Sequence, residues 1–170
     1  LARELSAILG RPLKARKVEV QADASIRTQA TVRLNVNDAA LCPRYSGRLL
    51  TNVQVGPSPD FVRQRLKAVG MNSINNVVDI TNYVMMELGQ PLHAFDAEKI
   101  SGGLVIRRAG TEQKFTTLDG QERSLGADNL VVADDKHVLA LAGTMGGLDS
   151  EISESTSRIA LEAVRFDPIS

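Results

Sequence analysis

Little in this sequence could build a disulfide framework or an aromatic platform. Of 170 residues, one is cysteine, none is tryptophan, four are phenylalanine and two are tyrosine. The single thiol, Cys42, allows no internal disulfide and no cysteine-based zinc site, and a reducing cytoplasm is its natural compartment. So few rings argue against a stacking surface for single-stranded nucleic acid. Net charge is lacking too, since 20 Lys and Arg balance 20 Asp and Glu. Domains that grip nucleic acid by bulk electrostatics carry a basic excess, so that mode is excluded. A local basic stripe, or contact with only the end of a nucleic acid, stays open. No apolar run reaches about 18 residues, which excludes a membrane-spanning helix. The opening Leu-Ala-Arg-Glu-Leu-Ser-Ala-Ile-Leu-Gly has neither an initiator Met nor the basic-then-apolar order of a signal peptide. It reads as an amphipathic helix stopped by Gly10, and the chain reads as cut from something longer.

What is present fits one globular domain: 43% apolar and 24% charged residues, with no internal repeat, low-complexity tract or dividing linker. Alternation at Thr31–Val36 predicts a half-buried strand, and a second strand-like run spans Tyr45–Val55. Ser58-Pro59-Asp60 predicts a helix start, with Ser58 as cap and Pro59 at the first helical position. Phe61, Val62, Leu66 and Val69 mark its apolar face, and Gly70 ends it. A second helix is predicted over Asn75–Leu88, capped by Asn72 or Ser73 and closed by Gly89. Its many apolar positions predict burial on most sides, which would leave the polar pair Thr81-Asn82 facing partners or a cavity. Short strands follow at Leu104–Arg108, Lys114–Leu118, Leu130–Ala133, His137–Ala142 and Arg158–Val164, with turns at Asp119-Gly120 and Asp134-Asp135-Lys136. The expected class is α+β: two central helices packed with a mostly antiparallel sheet in a single domain.

Few residues suggest chemistry. Leu88-Gly89-Gln90-Pro91-Leu92-His93-Ala94-Phe95-Asp96 reads as a tight polar loop containing one of the two histidines. Histidine trades a proton near neutral pH, and Asp96 is close enough in sequence to orient it. A helix-exit loop whose histidine bonds backbone explains the same residues. His137 reads as a surface residue. Two distant histidines without acidic neighbours at ligand spacing make a poor metal site, so none is expected. Ala142-Gly143-Thr144-Met145-Gly146-Gly147 is a glycine-rich loop able to pass close to a ligand, or else a bulge or hairpin corner. It lacks the lysine of a phosphate-binding loop. Glu162 interrupts the apolar run Ile159-Ala160-Leu161-Glu162-Ala163-Val164 and would share a strand face with Ala160 and Val164. A carboxylate there is costly unless paired, with Arg158 or Arg165 for instance, or turned to a polar cavity. Cys42 has no histidine near it in sequence and reads as a small core or edge residue. No serine sits in a nucleophile elbow.

Taken together, Cys42-Pro43-Arg44-Tyr45, Asn75 to Met85, Gly89 to Asp96, Ala142 to Gly147 and Ala160-Leu161-Glu162 carry a resemblance. Over residues 41–170 the chain resembles the editing (B3/B4) domain of the β subunit of bacterial phenylalanyl-tRNA synthetase. Residues 1–40, a helix then strands, resemble the segment preceding it. The resemblance implies hydrolysis of tyrosine wrongly esterified to tRNA(Phe), because a hydrophobic pocket rejects an added hydroxyl poorly. It assigns Glu162 to the tyrosine hydroxyl and Gly143 to the pocket wall. It also assigns Thr81 and Asn82 to the amino acid's polar end, and His93 to the ester and its water or ribose. The implied partners are the 3′ end of tRNA(Phe) carrying tyrosine, the synthetase α subunit and the rest of the β subunit, with no membrane. No cofactor is implied in this domain; ATP and Mg serve the whole synthetase elsewhere. Class II catalytic motifs are absent, so aminoacylation is not expected of this chain. Members of the family often carry Arg where this chain has Asn72, which leaves any contact of that Arg in question.

Two other readings stay open. One is a non-catalytic module of the same synthetase that positions tRNA or scaffolds subunits; it does not require Glu162, His93, Thr81 and Asn82 together. The other is a free-standing deacylase.

Overall fold

The computed structural model describes residues 2–14, 17–111 and 113–168. Its centre is strand β10 (Ile159–Arg165), which pairs antiparallel with β2 (Arg44–Leu50) on one side and β3 (Leu92–Asp96) on the other. A second sheet has the order β1 (Arg33–Val36), β4 (Gly103–Arg108), β7 (Leu130–Ala133), β8 (Val138–Leu141) and β9 (Met145–Gly146). Only its β1–β4 pairing is parallel. β5 (Gln113–Thr116) and β6 (Glu122–Leu125) form a separate hairpin around Gly120, whose φ of 74° suits the turn. Period-two alternation packs Phe95 and Ala160 of the first sheet against Leu104, Ile106, Val132, Leu139 and Ala140 of the second. Residues of opposite parity, Ala94, Ile159 and Leu161, join Val53, Val55 and Val77 in a cluster on the outer face.

Helices α3 (Asp60–Ala68) and α4 (Asn76–Leu88) pack on each other, and α4 packs on β3. The antiparallel sheets with segregated helices are the expected α+β class. The caps differ from expectation. Asn75, not Asn72 or Ser73, caps α4, its side chain accepting from the Val77 and Val78 amides at 3.0 Å each. Ser58 makes no cap bond to α3, which begins behind Pro59. Both serines serve Asp79 instead. The buried Asp79 carboxylate accepts from Ser58 Oγ and Ser73 Oγ at 2.5 Å each and from the Ile74 amide at 2.8 Å. It thereby ties the start of α3, the α3–α4 connection and α4 together. The end of α3 follows the expected glycine stop: Gly70 has φ 81°, and the Met71 amide bonds the Leu66 carbonyl at 2.9 Å.

Burial of α4 on most sides is not observed. Ile80, Met86 and Leu88 are 48%, 52% and 55% exposed, so the helix covers the sheet with one face only. Its apolar excess, with Phe61 and Ile74, lies on the surface. The expected loop through His93 is strand β3, at the edge of its sheet, with His93 and Asp96 on opposite faces. The expected strand Tyr45–Val55 stops at Leu50. α1 (Ala2–Leu9) forms as expected, but Leu5, Ile8 and Leu9 remain exposed. No described helix is long and apolar enough to cross a membrane.

Burial alone would raise the Asp79 carboxyl, but two hydroxyls, an amide and the Arg63 charge hold it below the ordinary carboxylate range. A group depressed on folding stabilises above its unfolded pKa, near 4 for Asp, and loses that contribution as pH falls below it. Asp79→Ala is expected to cost about 2–4 kcal/mol at pH 7 by urea unfolding, because it leaves the buried Ser58 hydroxyl without its acceptor and unties Ser73 and the Ile74 amide. The difference from wild type should shrink on acidification below about pH 4.

Candidate active site

Because β10 is held on both sides, its parity is fixed: Ala160, Glu162 and Val164 point toward the second sheet. The same face carries Phe95 and His93 from β3, whose Cα positions pair with Ala160 and Glu162. From β2 it carries Tyr45 and Gly47, paired with Val164 and Glu162. The two sheets part beyond Glu162, leaving an open cleft of about 970 Å3. Its apolar wall includes Leu92, Val132, Leu141, Val164 and Phe166, and its rim carries Arg108, Asp128, Arg165 and Asp167.

Glu162 lies in this wall, 8% exposed. It finds neither Arg158 nor Arg165. Tyr45 reaches diagonally across the strands and donates its hydroxyl to Glu162 Oε2 at 2.5 Å. Its ring passes over Gly47, where a Cβ would stand in ordinary van der Waals contact 3.7 Å from Tyr45 Cε1. Burial pushes the Glu162 carboxyl up to about 7, against the opposing pull of the Tyr45 hydrogen bond. Burial, followed by the neighbouring Glu162 charge, pushes the Tyr45 phenol far above its usual range, so Tyr45 remains a donor.

His93 stands beside Glu162 on the cleft wall, edge-on to Phe95 with ring centroids 4.6 Å apart. Burial pulls the imidazole down to about 4, so it is neutral at physiological pH. Asp96 does not orient it. Asp96 caps the following turn through the Glu98 amide at 3.0 Å and accepts from Thr156 Oγ1 at 2.7 Å. An odd spacing along β3 puts the two side chains on opposite faces. The glycine-rich loop is the β8–β9 turn. Gly143 lines the cleft with φ 69° at its corner, and Phe166 Cδ2 lies 3.3 Å from where a Cβ would stand. Gly146 is small because of His93: a Cβ would come within 2.7 Å of both Cε1 and Nε2.

The cleft therefore gathers Glu162, His93 and Gly143 but not Thr81 and Asn82, which do not line it. Thr81 is buried, with its hydroxyl turned back onto the Val78 carbonyl at 2.7 Å. That bond supplies the partner a polar residue needs on a packed helix face. Cys42 is buried in the core beside this site, and burial raises its thiol. His137 is exposed. Among the described residues, no group of three His, Cys, Asp or Glu side chains is placed to hold a metal ion. Tyr45 and Phe166 were given no role by sequence reasoning; Tyr45 enters through the β2–β10 register, which no local pattern encodes.

A family model described as the B3/4 domain matches residues 41–170. The chain belongs to that family. The phenylalanine–tRNA ligase β subunit of Bdellovibrio bacteriovorus is 48% identical over 171 residues, covering 100% of this chain and 21% of that subunit. The Geobacter metallireducens β subunit is 48% identical over 169 residues, covering 99% and 21%. The chain thus spans about a fifth of the length of these relatives. An N-terminal fragment of the phenylalanyl-tRNA synthetase β subunit from Pyrococcus horikoshii shares the fold, with TM-score 0.58 and 14% identity. That match covers 98% of this chain and 50% of the fragment.

In this B3/4 domain the buried Glu162 weakens the fold at neutral pH. Its folded pKa lies near 7, above the unfolded value of 4.5. Stability is therefore greatest below the unfolded value and declines as pH rises toward 7. Glu162→Gln is expected to stabilise the domain above pH 7 by about 2–3 kcal/mol, with the gain vanishing below about pH 4.5. Thermal unfolding of both proteins across that range measures it.

Proposed function

We propose that this domain hydrolyses the ester joining tyrosine to tRNA(Phe), as the post-transfer editing site of a phenylalanine–tRNA ligase β subunit. One observation carries the reading: a carboxyl set beside apolar residues in the wall of a cleft with a charged rim, with a neutral imidazole beside it. Apolar walls would hold phenylalanine and tyrosine alike, since an added hydroxyl is rejected only weakly by such a surface. A buried acceptor inverts the preference, because only tyrosine satisfies it, and an unsatisfied buried polar group costs about 1–3 kcal/mol. Buried ionisable groups held at a cost to stability cluster at functional sites.

The chemistry needs little more. Water adds to the ester carbonyl, the bond to the ribose oxygen breaks, and tyrosine and a free ribose hydroxyl leave. His93 orients the water or the ribose hydroxyl, and Gly143 provides close backbone approach at the cleft wall. Thr81 and Asn82, assigned by the resemblance to the amino acid's polar end, do not line the cleft and take no part in this reading. The remainder of the ligase holds the tRNA, in keeping with a domain of balanced charge.

Deacylation of tyrosyl-tRNA(Phe) by the intact ligase tests this. Glu162→Ala should lower deacylation of tyrosyl-tRNA at least tenfold and allow phenylalanyl-tRNA to compete. Unaltered selectivity sinks the assignment of Glu162. His93→Ala should slow deacylation by about 10–100-fold; a full rate with unchanged tyrosine affinity removes the imidazole from the mechanism. A wild-type domain that only improves tRNA affinity, with no effect on deacylation, would favour the positioning module.

A further inference from the structure

Tyr45 is the one side chain that hydrogen-bonds the Glu162 carboxyl among the described residues, and it does so with the functional group of the proposed substrate. The carboxyl has two oxygens. Tyr45 occupies Oε2, and no described residue hydrogen-bonds Oε1. Its ring is anchored independently, packed against the inter-sheet core and passing over Gly47, so the hydroxyl is delivered at a fixed point. We propose that Tyr45 is a positioning residue for substrate selection: its resident phenol holds Glu162 as an acceptor and leaves Oε1 for the phenol of the ligand. This rests on the proposed function and deepens it.

The physical reason lies in what a buried carboxyl does without help. Desolvation favours its neutral form, and a neutral carboxyl presents a donor as well as an acceptor. It then no longer demands a hydroxyl of its ligand. A phenol fixed on one oxygen favours the ionised form, which only accepts. No described cation does this in its place. The groups facing Glu162 from neighbouring elements are Cys42 and Tyr45 from the β2 side and the neutral His93 from β3. Arg108, Asp128, Arg165 and Asp167 stand around the same cleft in equal numbers of each sign.

Tyr45→Phe keeps the ring in the core and removes only the hydroxyl. The δ-carbon NMR signal of Glu162 in the whole chain reads its titration without substrate. Its midpoint should rise by about one pH unit in the variant. In parallel, L-tyrosine and L-phenylalanine binding is measured from pH 6 to 9. Tyrosine affinity of the variant should fall about fivefold at pH 7 and recover toward pH 9, with phenylalanine affinity unaltered. A merely structural Tyr45 would lower both affinities and give no recovery with pH. An unmoved or lowered midpoint overturns the proposal, as does a raised midpoint with unchanged tyrosine affinity at every pH. If the wild-type chain shows no preference for tyrosine in binding, and the intact ligase none in deacylation, the proposed function falls, and with it the phenol on Oε1. A raised midpoint in that case still establishes Tyr45 as the residue that holds the carboxylate.

Discussion

The two-sided pairing of β10 is the constraint on which the rest of the structure depends. Ile159 to Ala163 are pinned between β2 and β3, so the pleat decides which residues meet the helices and which meet the second sheet. A slip of one residue would turn Leu161 into the cleft and Glu162 under α4, exchanging an apolar cluster for a carboxyl with no acceptor role. Edge strands can slide with little penalty, but this strand cannot. Glu162, His93 and Tyr45 are neighbours because three strands of seven, five and seven residues hold one register.

Most of the architecture was legible where local signals were strong. Glycine stops at Gly70 and Gly89, the Asp119-Gly120 turn and the alternation through β10 all correspond to observed features. The two capping errors share one cause. Ser58 and Ser73 carry good capping side chains, but a buried carboxylate six and twenty-one residues away takes their hydroxyls. Local propensity yields to such distant partners because an unsatisfied buried charge costs more than a missing cap. The excess of apolar residues on α4 suggested burial, but nothing among the described residues covers Ile80 or Met86. β3 was hidden for another reason: it is an edge strand of five residues, Leu-His-Ala-Phe-Asp, with no period-two pattern to distinguish it from a loop.

The candidate site was legible as a set of anomalies rather than as a site. Glu162 in an apolar strand and glycines after another strand were each visible, and the structure brings both to one cleft. Tyr45 was not visible as a participant, since its approach is diagonal across a pairing between residues 117 positions apart. Gly146 was readable as a glycine but not for its reason, which is the volume of a histidine ring from another sheet.

The two walls of the cleft differ in how firmly they are held. On one side Glu162 belongs to a strand bonded along both edges; on the other, Gly143 sits in a turn closed by β9, which is two residues long, pairs with β8 and accepts one further bond from the Leu118 amide at Gly146. Short terminal strands with few bonds open locally at little free energy, while doubly paired ones open only with the whole domain. The Gly143 wall is therefore the less firmly paired of the two, and the Glu162 wall the more firmly paired. Because Gly146 abuts the His93 ring with no room for a Cβ between them, the placement of the imidazole depends on the less firmly held wall as well as on its own strand.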